Sequence, residues 1–223
     1  MFFRAIASNP IFDYIGSGDY VGLLVYVLTL LLAMCIAVSF HEWAHAFIAY
    51  KLGDPTAKNM GRMTIDPTKH LTWLGVICFL FFRIGFARPV IVNSRNLKNF
   101  RRDDLLISIA GVLMNLLIAF AAYGVLFFFG LKMNEYMLVA IYMIFSLNIS
   151  FAVFNILPIP PLDGYHVLTS IFVRKSYKII NFFNRYGYIL FLILLFTVVL
   201  SFVLSWAVNG LVTVFDAFFS LFV

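Results

Sequence analysis

Two histidines and a glutamate lie close together near the end of a long apolar run, in the stretch SFHEWAHAFIAYK at residues 39–51. His41 and His45 are four residues apart, so on a helix they share one face. Glu42 is turned about 100° from His41 around the same helix. In an H-E-x-x-H pattern the two imidazoles bind zinc, and the glutamate is the general base that acts on a zinc-bound water. The pattern predicts one zinc ion per chain, with Glu42 as the catalytic base.

The alternative for paired helical histidines is polar packing inside a helix bundle. That alternative must also explain Glu42, in a chain that is 63% hydrophobic and only 12% charged. Ionisable groups are costly in lipid, and those found within membrane segments are functional by default. We therefore favour the metal site.

A catalytic zinc needs a third protein ligand and one open position. The candidates among the remaining histidines are His70 and His166. A better candidate is Asp163, in the stretch NILPIPPLDGYH at residues 155–166, where prolines interrupt an apolar run at the depth of the histidine pair. Taken alone, this stretch is typical of a turn at a membrane surface with Asp163 as a helix cap. Beside the histidine pair, a carboxylate ligand at about 2.0–2.2 Å is the favoured interpretation.

The elements that position these groups are membrane helices. The chain has 223 residues, a mean hydropathy of +0.99 and 27 phenylalanines. About 20 helical residues cross the hydrocarbon core, and four uncharged stretches are long enough: 20–40, 105–131, 136–162 and 186–215. We expect the first to continue as a helix to about Tyr50. We expect a break at the Asn209-Gly210 pair, and we do not expect the segment that follows it to span.

The basic residues indicate the orientation. Of 16 lysines and arginines, ten lie in residues 51–102 and four in residues 174–185. Positive residues collect on the cytosolic side of membrane proteins, so both segments are predicted to be cytosolic, in a multi-pass protein of the cell membrane. This distribution disfavours nucleic acid as a partner. The loop at Lys132 is placed on the far side with Glu135 and Asp216, which therefore cannot complete the metal site.

Shorter elements lie between and after these stretches. Residues 70–82 are apolar but too short to cross as a helix, so we expect them to dip into the membrane and return to the cytosolic side. Residues 85–93, GFARPVIVN, predict a short extended segment, an edge or irregular strand because of Pro89. We hypothesise that its edge, at Ile91 and Val92, binds an extended substrate by strand addition. Residues 174–188 predict an amphipathic interfacial helix.

With these motifs the chain resembles the site-2 proteases, which are intramembrane zinc metalloproteases, in a compact form without an added regulatory domain. The resemblance is carried by His41-Glu42-Trp43-Ala44-His45, by the N-x-x-P-x-x-P-L-D-G pattern at 155–164, and by Gly111 with Asn115 in AGVLMN. It covers about residues 20–170. One departure is Val112, where many members have proline, and we expect it to alter local helix geometry only.

The resemblance implies an all-α polytopic fold with a three-helix catalytic core, additional membrane segments, and a short re-entrant or β-like element between the first two core helices. It implies His41, His45 and Asp163 as zinc ligands and Glu42 as the base. It also implies that membrane-spanning protein substrates are cut within or near the bilayer. The expected organisation is an N-terminal interfacial segment (1–19), the protease core (20–170) and C-terminal amphipathic and membrane segments (171–223).

Two asparagines are candidate substrate-binding residues, Asn115 and Asn155. For each, ordinary helix packing with one interhelical hydrogen bond is an equal alternative.

Two other functions use the same residues. A metal-ion carrier or sensor could use the same three ligands, but it has no evident need for a base at Glu42. A catalytically inactive relative could serve as a membrane binding partner, although the full set of ligands and base is present.

Overall fold

The computed structural model describes residues 10–82, 85, 87–172, 177–195 and 197–223. Among these residues the chain is helical, with no β-strand. In chain order the helices are α1 Pro10–Ser17, α2 Tyr20–Lys51, α3 Thr56–Asn59, α4 Pro67–His70, α5 Trp73–Phe82, α6 Phe100–Phe129, α7 Glu135–Asn155, α8 Asp163–Phe172, α9 Tyr177–Leu195 and α10 Val198–Phe219. The all-α prediction is confirmed.

Four helical segments are long and apolar enough to cross a membrane: Tyr20–Lys51, Phe100–Lys132, Glu135–Asn155 and Val198–Phe222. The protein is therefore a multi-pass membrane protein. Helices α2, α6 and α7 pack pairwise against one another and form the three-helix core. Alanines on the buried face of α2, such as Ala33 and Ala37, are fully covered. Small side chains allow such close approach of membrane helices.

The first two predicted spans agree with the structure, and the last two need correction. Helix α7 ends at Asn155 and does not continue to residue 162. The predicted fourth span, 186–215, is wrong, because the apolar run is divided between α9 and α10. Thr197 marks the division: its N–H and its hydroxyl both donate to the carbonyl of Leu194, which satisfies the end of α9.

The expected break at Asn209-Gly210 is also wrong. Helix α10 continues through this pair to Phe219. Glycine is tolerated in membrane helices, and a Cβ at Gly210 would meet nothing within 4 Å. The pair therefore interrupts neither the packing nor the helix.

Residues 70–82 hold one short helix, α5, which is not among the helices long enough to cross a membrane; the dip into the membrane stays a prediction. Helix α5 has ten residues, about 15 Å at the usual rise. The two ends of the excursion meet, since Leu71 and Ala87 form an isolated antiparallel bridge and the Arg88 N–H donates to the His70 carbonyl across 2.7 Å. The chain before α5 and the chain after it therefore lie side by side.

The strand expected at residues 85–93 does not form in the described part of this segment, from which Phe86 is excluded. The single bridge at Ala87 is the only ladder contact there. Pro89 has no N–H to donate, and neighbouring peptide groups are used by side chains. The carbonyl of Pro89 accepts from Arg62, and the N–H of Val90 donates to Glu42. The segment is extended but is paired with side chains.

Helix α9 covers most of the predicted amphipathic segment, of which residues 174–176 lie outside the described part. It packs on the proline turn after α7: Gly187 lies where a Cβ would come within 2.7 Å of Pro160. The Tyr165 hydroxyl also contacts the Asn184 side-chain oxygen. The turn that carries Asp163 is thus backed by α9.

The far end of the core is filled by aromatic rings. We call this group the aromatic cluster, and its members are Phe120, Tyr123, Phe145, Phe215 and Phe219. The rings of Phe120 and Phe219 have centroids 4.7 Å apart, and those of Phe120 and Phe215 are 5.1 Å apart. The cluster joins α6, α7 and α10.

Candidate metal centre

Helix α2 carries His41, Glu42 and His45 into the core. The helix is continuous from Tyr20 to Lys51, so the rise of about 1.5 Å per residue places His45 ~9 Å and His41 ~15 Å from Lys51. All three side chains are buried. The site is therefore submerged, yet close to the basic end of the helix.

Asp163 reaches the same place from the turn after α7. The chain doubles back there, and α8 begins at Asp163. A Cβ on the next residue, Gly164, would lie 2.1 Å from the carbonyl oxygen of Ile156, so a larger residue would clash with the backbone. Glycine at this position lets the turn close, and the carboxylate faces α2.

The three predicted ligand atoms form a compact triangle. Nε2 of His41 and Nε2 of His45 are 3.0 Å apart, and Oδ2 of Asp163 lies 3.1 Å from the first and 3.2 Å from the second. Tetrahedral ligands at about 2.0–2.2 Å from zinc are themselves about 3.3–3.5 Å apart. The triangle is smaller than that by a few tenths of an ångström.

The competing histidines lie elsewhere. His70 is fully buried and its Nε2 donates to the carbonyl of Thr64. His166 is 55% exposed and lies 3.8 Å from Asp104, which raises the pKa of the imidazole. The structure does not bring either histidine into the triangle.

Hydrogen bonds at the other ring nitrogens set the tautomers of His41 and His45, the two predicted histidine ligands. Nδ1 of His45 is 2.7 Å from the carbonyl oxygen of Ile107. Nδ1 of His41 is 2.6 Å from Oδ1 of Asn115. Because both partners are acceptors, each Nδ1 carries the proton and each Nε2 keeps a lone pair in the neutral ring.

The orientation of Asn115 is set by a chain of amides. Its Nδ2 donates to the carbonyl of Ala37 and to Oδ1 of Asn148, each across 2.9 Å. Nδ2 of Asn148 in turn donates to the carbonyl of Ile144 across 2.8 Å. Asn115 and Asn148 are fully buried. The oxygen of Asn115 is thereby left facing His41.

Sequence reasoning does not identify the part that Asn148 takes in this chain of amides. The available signal was an amide in the middle of an apolar span, where polar groups are expensive. Asn115 as a substrate-binding residue remains a prediction, and the same holds for Asn155. The side chain of Asn155 donates back to the carbonyl of Phe151 in its own helix.

Gly111 brings α6 against the ligand pair. A Cβ at this position would lie 2.4 Å from Nε2 of His45 and 2.6 Å from Cε1 of His41. Any larger residue would therefore occupy the space of the imidazoles. The glycine allows the carbonyl of Ile107, one turn earlier on α6, to reach His45.

Glu42 lies beside the triangle without entering it. Its Oε2 accepts a hydrogen bond from the N–H of Val90 across 2.8 Å. This contact could not be seen in the sequence, because a backbone N–H has no residue signature. It places the extended segment next to the site.

These residues fit a zinc ion. Two unprotonated nitrogens and one carboxylate oxygen converge, and the described residues give Oδ2 of Asp163 no hydrogen-bond donor in that buried position. Their ligand atoms all lie within 4.8 Å of one another. A bound cation would balance three lone pairs that face one another in a largely buried space. Two imidazoles and a carboxylate, with one position open, are typical of catalytic zinc.

Comparisons with known proteins agree with this donor set. The profile described as Peptidase family M50 matches residues 29–141 and 132–200. YwhC of Bacillus subtilis, provisionally named a zinc metalloprotease, is 38% identical over 182 residues, or 78% of this chain and 83% of the relative. Rip2 of Mycolicibacterium smegmatis, named in the same provisional way, is 27% identical over 195 residues, or 85% of this chain and 73% of the relative.

No solved structure was found to match the chain. The family and the names of these relatives imply zinc as the metal, which confirms the predicted cofactor. The resemblance to the site-2 proteases is confirmed as well. With a match over most of its length and a buried His-His-Asp triangle in its membrane core, the chain belongs to peptidase family M50, the site-2 protease family.

Proposed function

We propose that the protein is a zinc-dependent endopeptidase that cuts membrane-spanning proteins within or near the bilayer, on the cytosolic side. The observation that carries the proposal is the triangle of His41, His45 and Asp163, with Glu42 beside it, inside apolar helices. A carrier or sensor would need the triangle but not the carboxylate next to it. An inactive relative would need neither.

The residues of the chain divide the chemistry between them. His41, His45 and Asp163 would hold the zinc. When bound, zinc would lower the pKa of water to about 7 and polarise the scissile carbonyl. Glu42 accepts a proton from the attacking water and gives it to the leaving amine. Asn115 and the carbonyl of Ile107 keep the imidazoles in the tautomer and orientation that a metal requires.

The substrate must present an accessible amide. In a membrane helix the peptide carbonyls are engaged in helical hydrogen bonds, so the substrate helix has to unwind locally before it is cut. The Asp163 side chain is 20% exposed, against 3% for His41. Water and substrate would therefore reach the site from the side of the proline turn.

The proposed orientation places the basic loops in the cytosol and the Lys132 loop outside the cell membrane. Single cysteines at Lys58, Arg95 and Lys178, with Cys35 and Cys78 replaced, should be protected from an impermeant thiol reagent in intact cells. A cysteine at Lys132 should be labelled. Labelling of Arg95→Cys and Lys132→Cys from the same side would contradict the topology.

The most direct test of the function uses an inactive variant to let uncut substrates accumulate. The Glu42→Gln variant is expressed in the native host, and membrane proteins that accumulate uncut are identified by mass spectrometry. Glu42→Gln should retain zinc and lose cleavage, because the ligands remain and the base is gone. His41→Ala should lose both.

Three outcomes separate the alternatives. Metal transport that persists in Glu42→Gln, with no uncut protein, would favour a carrier. No difference between wild type and either variant would favour an inactive binding partner. Equal loss of zinc in the two variants would make Glu42 a ligand or a structural group.

A further inference from the structure

One peptide unit joins a cation to the carboxylate that we propose as the general base. The N–H of Val90 donates to Oε2 of Glu42 across 2.8 Å. On the other side of the same peptide bond, the carbonyl of Pro89 accepts a hydrogen bond from Nη1 of Arg62 across 2.7 Å. The amide is planar, so the guanidinium and the carboxylate sit at its two opposite ends.

This arrangement strengthens both hydrogen bonds. A positive donor at the carbonyl draws electron density through the amide and makes its N–H a better donor. Hydrogen bonds to charged groups are shorter and stronger than neutral ones, and chains of them polarise one another where the dielectric is low. Glu42 is only 8% exposed. Arg62 can therefore act on Glu42 without touching it.

The backbone before Arg62 is shaped to deliver the guanidinium. Helix α3 ends at Asn59, and Gly61, just beyond its C-cap Met60, has a φ of +67°, the left-handed conformation that favours glycine. The N–H groups of Gly61 and Arg62 donate to the carbonyls of Lys58 and Ala57, each across 2.9 Å. This is the Schellman arrangement that closes helix C-termini, and it fixes where Arg62 leaves the helix.

The segment after Val90 is anchored independently by Asp54. The Asp54 carboxylate accepts from the N–H of Asn93 and from Nδ2 of Asn96, each across 2.7 Å. Burial alone would raise the pKa of Asp54, but the hydrogen bonds from Thr56, Asn96 and Asn93 outweigh it and lower the pKa. The carboxylate therefore stays charged and holds the segment, while Arg62 sets the Pro89–Val90 peptide itself.

We propose that Arg62 is a positioning residue for Glu42 and acts through the Pro89–Val90 peptide. The peptide holds Oε2 of Glu42, so that the other carboxylate oxygen remains for proton transfer. The inference rests on the proposed function only in that Glu42 is taken as the base. The hydrogen-bonded chain from Arg62 to Glu42 can be tested without any cleavage assay.

The sequence allows a test at a single atom pair. Pro89-Val90 is the only Pro-Val dipeptide in the chain. Full-length protein in detergent, labelled with ¹³C at the proline carbonyl and ¹⁵N at valine, therefore gives one carbonyl-to-amide correlation peak, that of Val90. A carboxylate acceptor shifts this amide proton downfield. Glu42→Gln should move it upfield, as should Arg62→Met. Arg95→Met, at an exposed arginine on the same segment, should leave it in place.

The kinetic arm uses zinc-loaded protein and fluorescently labelled casein, an unstructured protein substrate. Arg62→Met should lower kcat by about tenfold, in the range found for groups that orient functional residues. KM should be unchanged, because the proposed role of Arg62 acts on the base and not on substrate binding. Arg62→Lys restores one cationic donor and should recover part of both the kcat and the Val90 shift. Bound zinc should equal that of wild type in all three arginine variants.

The results divide clearly. A Val90 peak that stays in place in Arg62→Met overturns the proposal, as does a rise in KM with unchanged kcat. If Arg62→Met fails to fold, Arg62→Lys is decisive, and an unmoved peak with unmoved kcat then overturns it. If wild type is no more active on casein than Glu42→Gln, the proposed function fails for this substrate. The Val90 shift still decides whether Arg62 acts on Glu42.

Discussion

The two ends of helix α6 pack against different kinds of neighbours. The ligand end, residues 100–115, packs against polar groups: Gly111 touches both imidazoles, and Asn115 holds His41 by a hydrogen bond. The aromatic end, residues 119–129, packs against rings, with Gly124 where a Cβ would lie 2.7 Å from Phe219. At the ligand end, directional hydrogen bonds hold the side chains in place. At the aromatic end, the close packing of rings does so.

This difference between the two ends of α6 indicates which residues affect zinc binding and which affect stability alone. Hydrogen bonds constrain both distance and angle, so the ligand end holds the imidazoles in one orientation. Ring packing tolerates rotation and small shifts, and in a bilayer it stabilises through dispersion contacts. We therefore expect changes at the ligand end to alter zinc binding first, and changes at the aromatic end to alter stability alone.

The largest effect is expected from removal of Asp163, the proposed carboxylate ligand. Asp163→Ala should lose bound zinc and reduce activity by about 10³-fold, because the metal supplies several kcal/mol of transition-state stabilisation. Asp163→Asn should do so less severely, since an amide is a poorer ligand. Metal content by mass spectrometry and casein cleavage measure both effects.

Two controls accompany this change. His166→Ala removes the neighbouring histidine, and Asp216→Ala removes the carboxylate that contacts Tyr123 at the aromatic end. Both should retain zinc. If His166→Ala strips the zinc while Asp163→Ala does not, the assignment of the third ligand is wrong.

The two glycines of α6 provide a matched pair. Gly111→Ala places a Cβ 2.4 Å from Nε2 of His45, whose ring is fixed on its other side by Ile107, so zinc affinity should fall by about 100-fold. Gly124→Ala meets the far end of the Phe219 ring, which can turn away. It should cost about 1–3 kcal/mol of stability through overpacking and leave zinc affinity unchanged. Chelator competition and thermal unfolding separate the two, and a loss of zinc affinity in Gly124→Ala would break the comparison.

A smaller effect is expected from the amide chain. Asn115→Leu keeps the branched shape of the side chain but removes the acceptor for the Nδ1 proton of His41, so zinc affinity should fall about tenfold. Asn148→Leu acts only through Asn115 and should cost less. The same chelator titration measures both. An effect of Asn148→Leu that exceeds that of Asn115→Leu would show that the chain does not run in the proposed direction.

The smallest effect concerns the polar contact at the aromatic end. Tyr123→Phe removes the hydroxyl that donates to Asp216 on α10. Interhelical hydrogen bonds in membranes contribute about 0.6 kcal/mol on average, so the midpoint of unfolding in denaturing detergent should shift slightly and zinc affinity should not change. An altered zinc affinity would mean that the two ends are coupled.

Much of the ligand end could be predicted from the sequence, because its groups are side chains with a characteristic spacing. His41 and His45 share a helix face by their separation alone, and the prolines before Asp163 mark a turn at the same depth. The partners that orient these groups could not be predicted. The carbonyl of Ile107 and the N–H of Val90 belong to the backbone, and any residue type could supply them.

The errors in the fold have a similar cause. The run at 186–215 is apolar throughout, and the division at Thr197 depends on hydrogen bonds to Leu194 that hydropathy does not reveal. Conversely, Asn209-Gly210 has the composition of a break but lies inside α10. Local composition predicted how much of the chain is in the membrane better than it predicted where each helix ends.

The meeting of Leu71 with Ala87 has a consequence for how this architecture can vary. Since the chain leaves and returns at one point, the α5 excursion is a side branch whose length is decoupled from the path of the main chain. Residues could be inserted into or deleted from Trp73–Phe82 while Arg88 stays against His70 and Val90 stays against Glu42. Loop-closure entropy changes slowly with length, so the main cost of such changes would be the packing of Phe79 and Leu80 against Tyr26 and Leu30. The length and composition of this excursion can thus vary while the contacts that hold Glu42 stay the same.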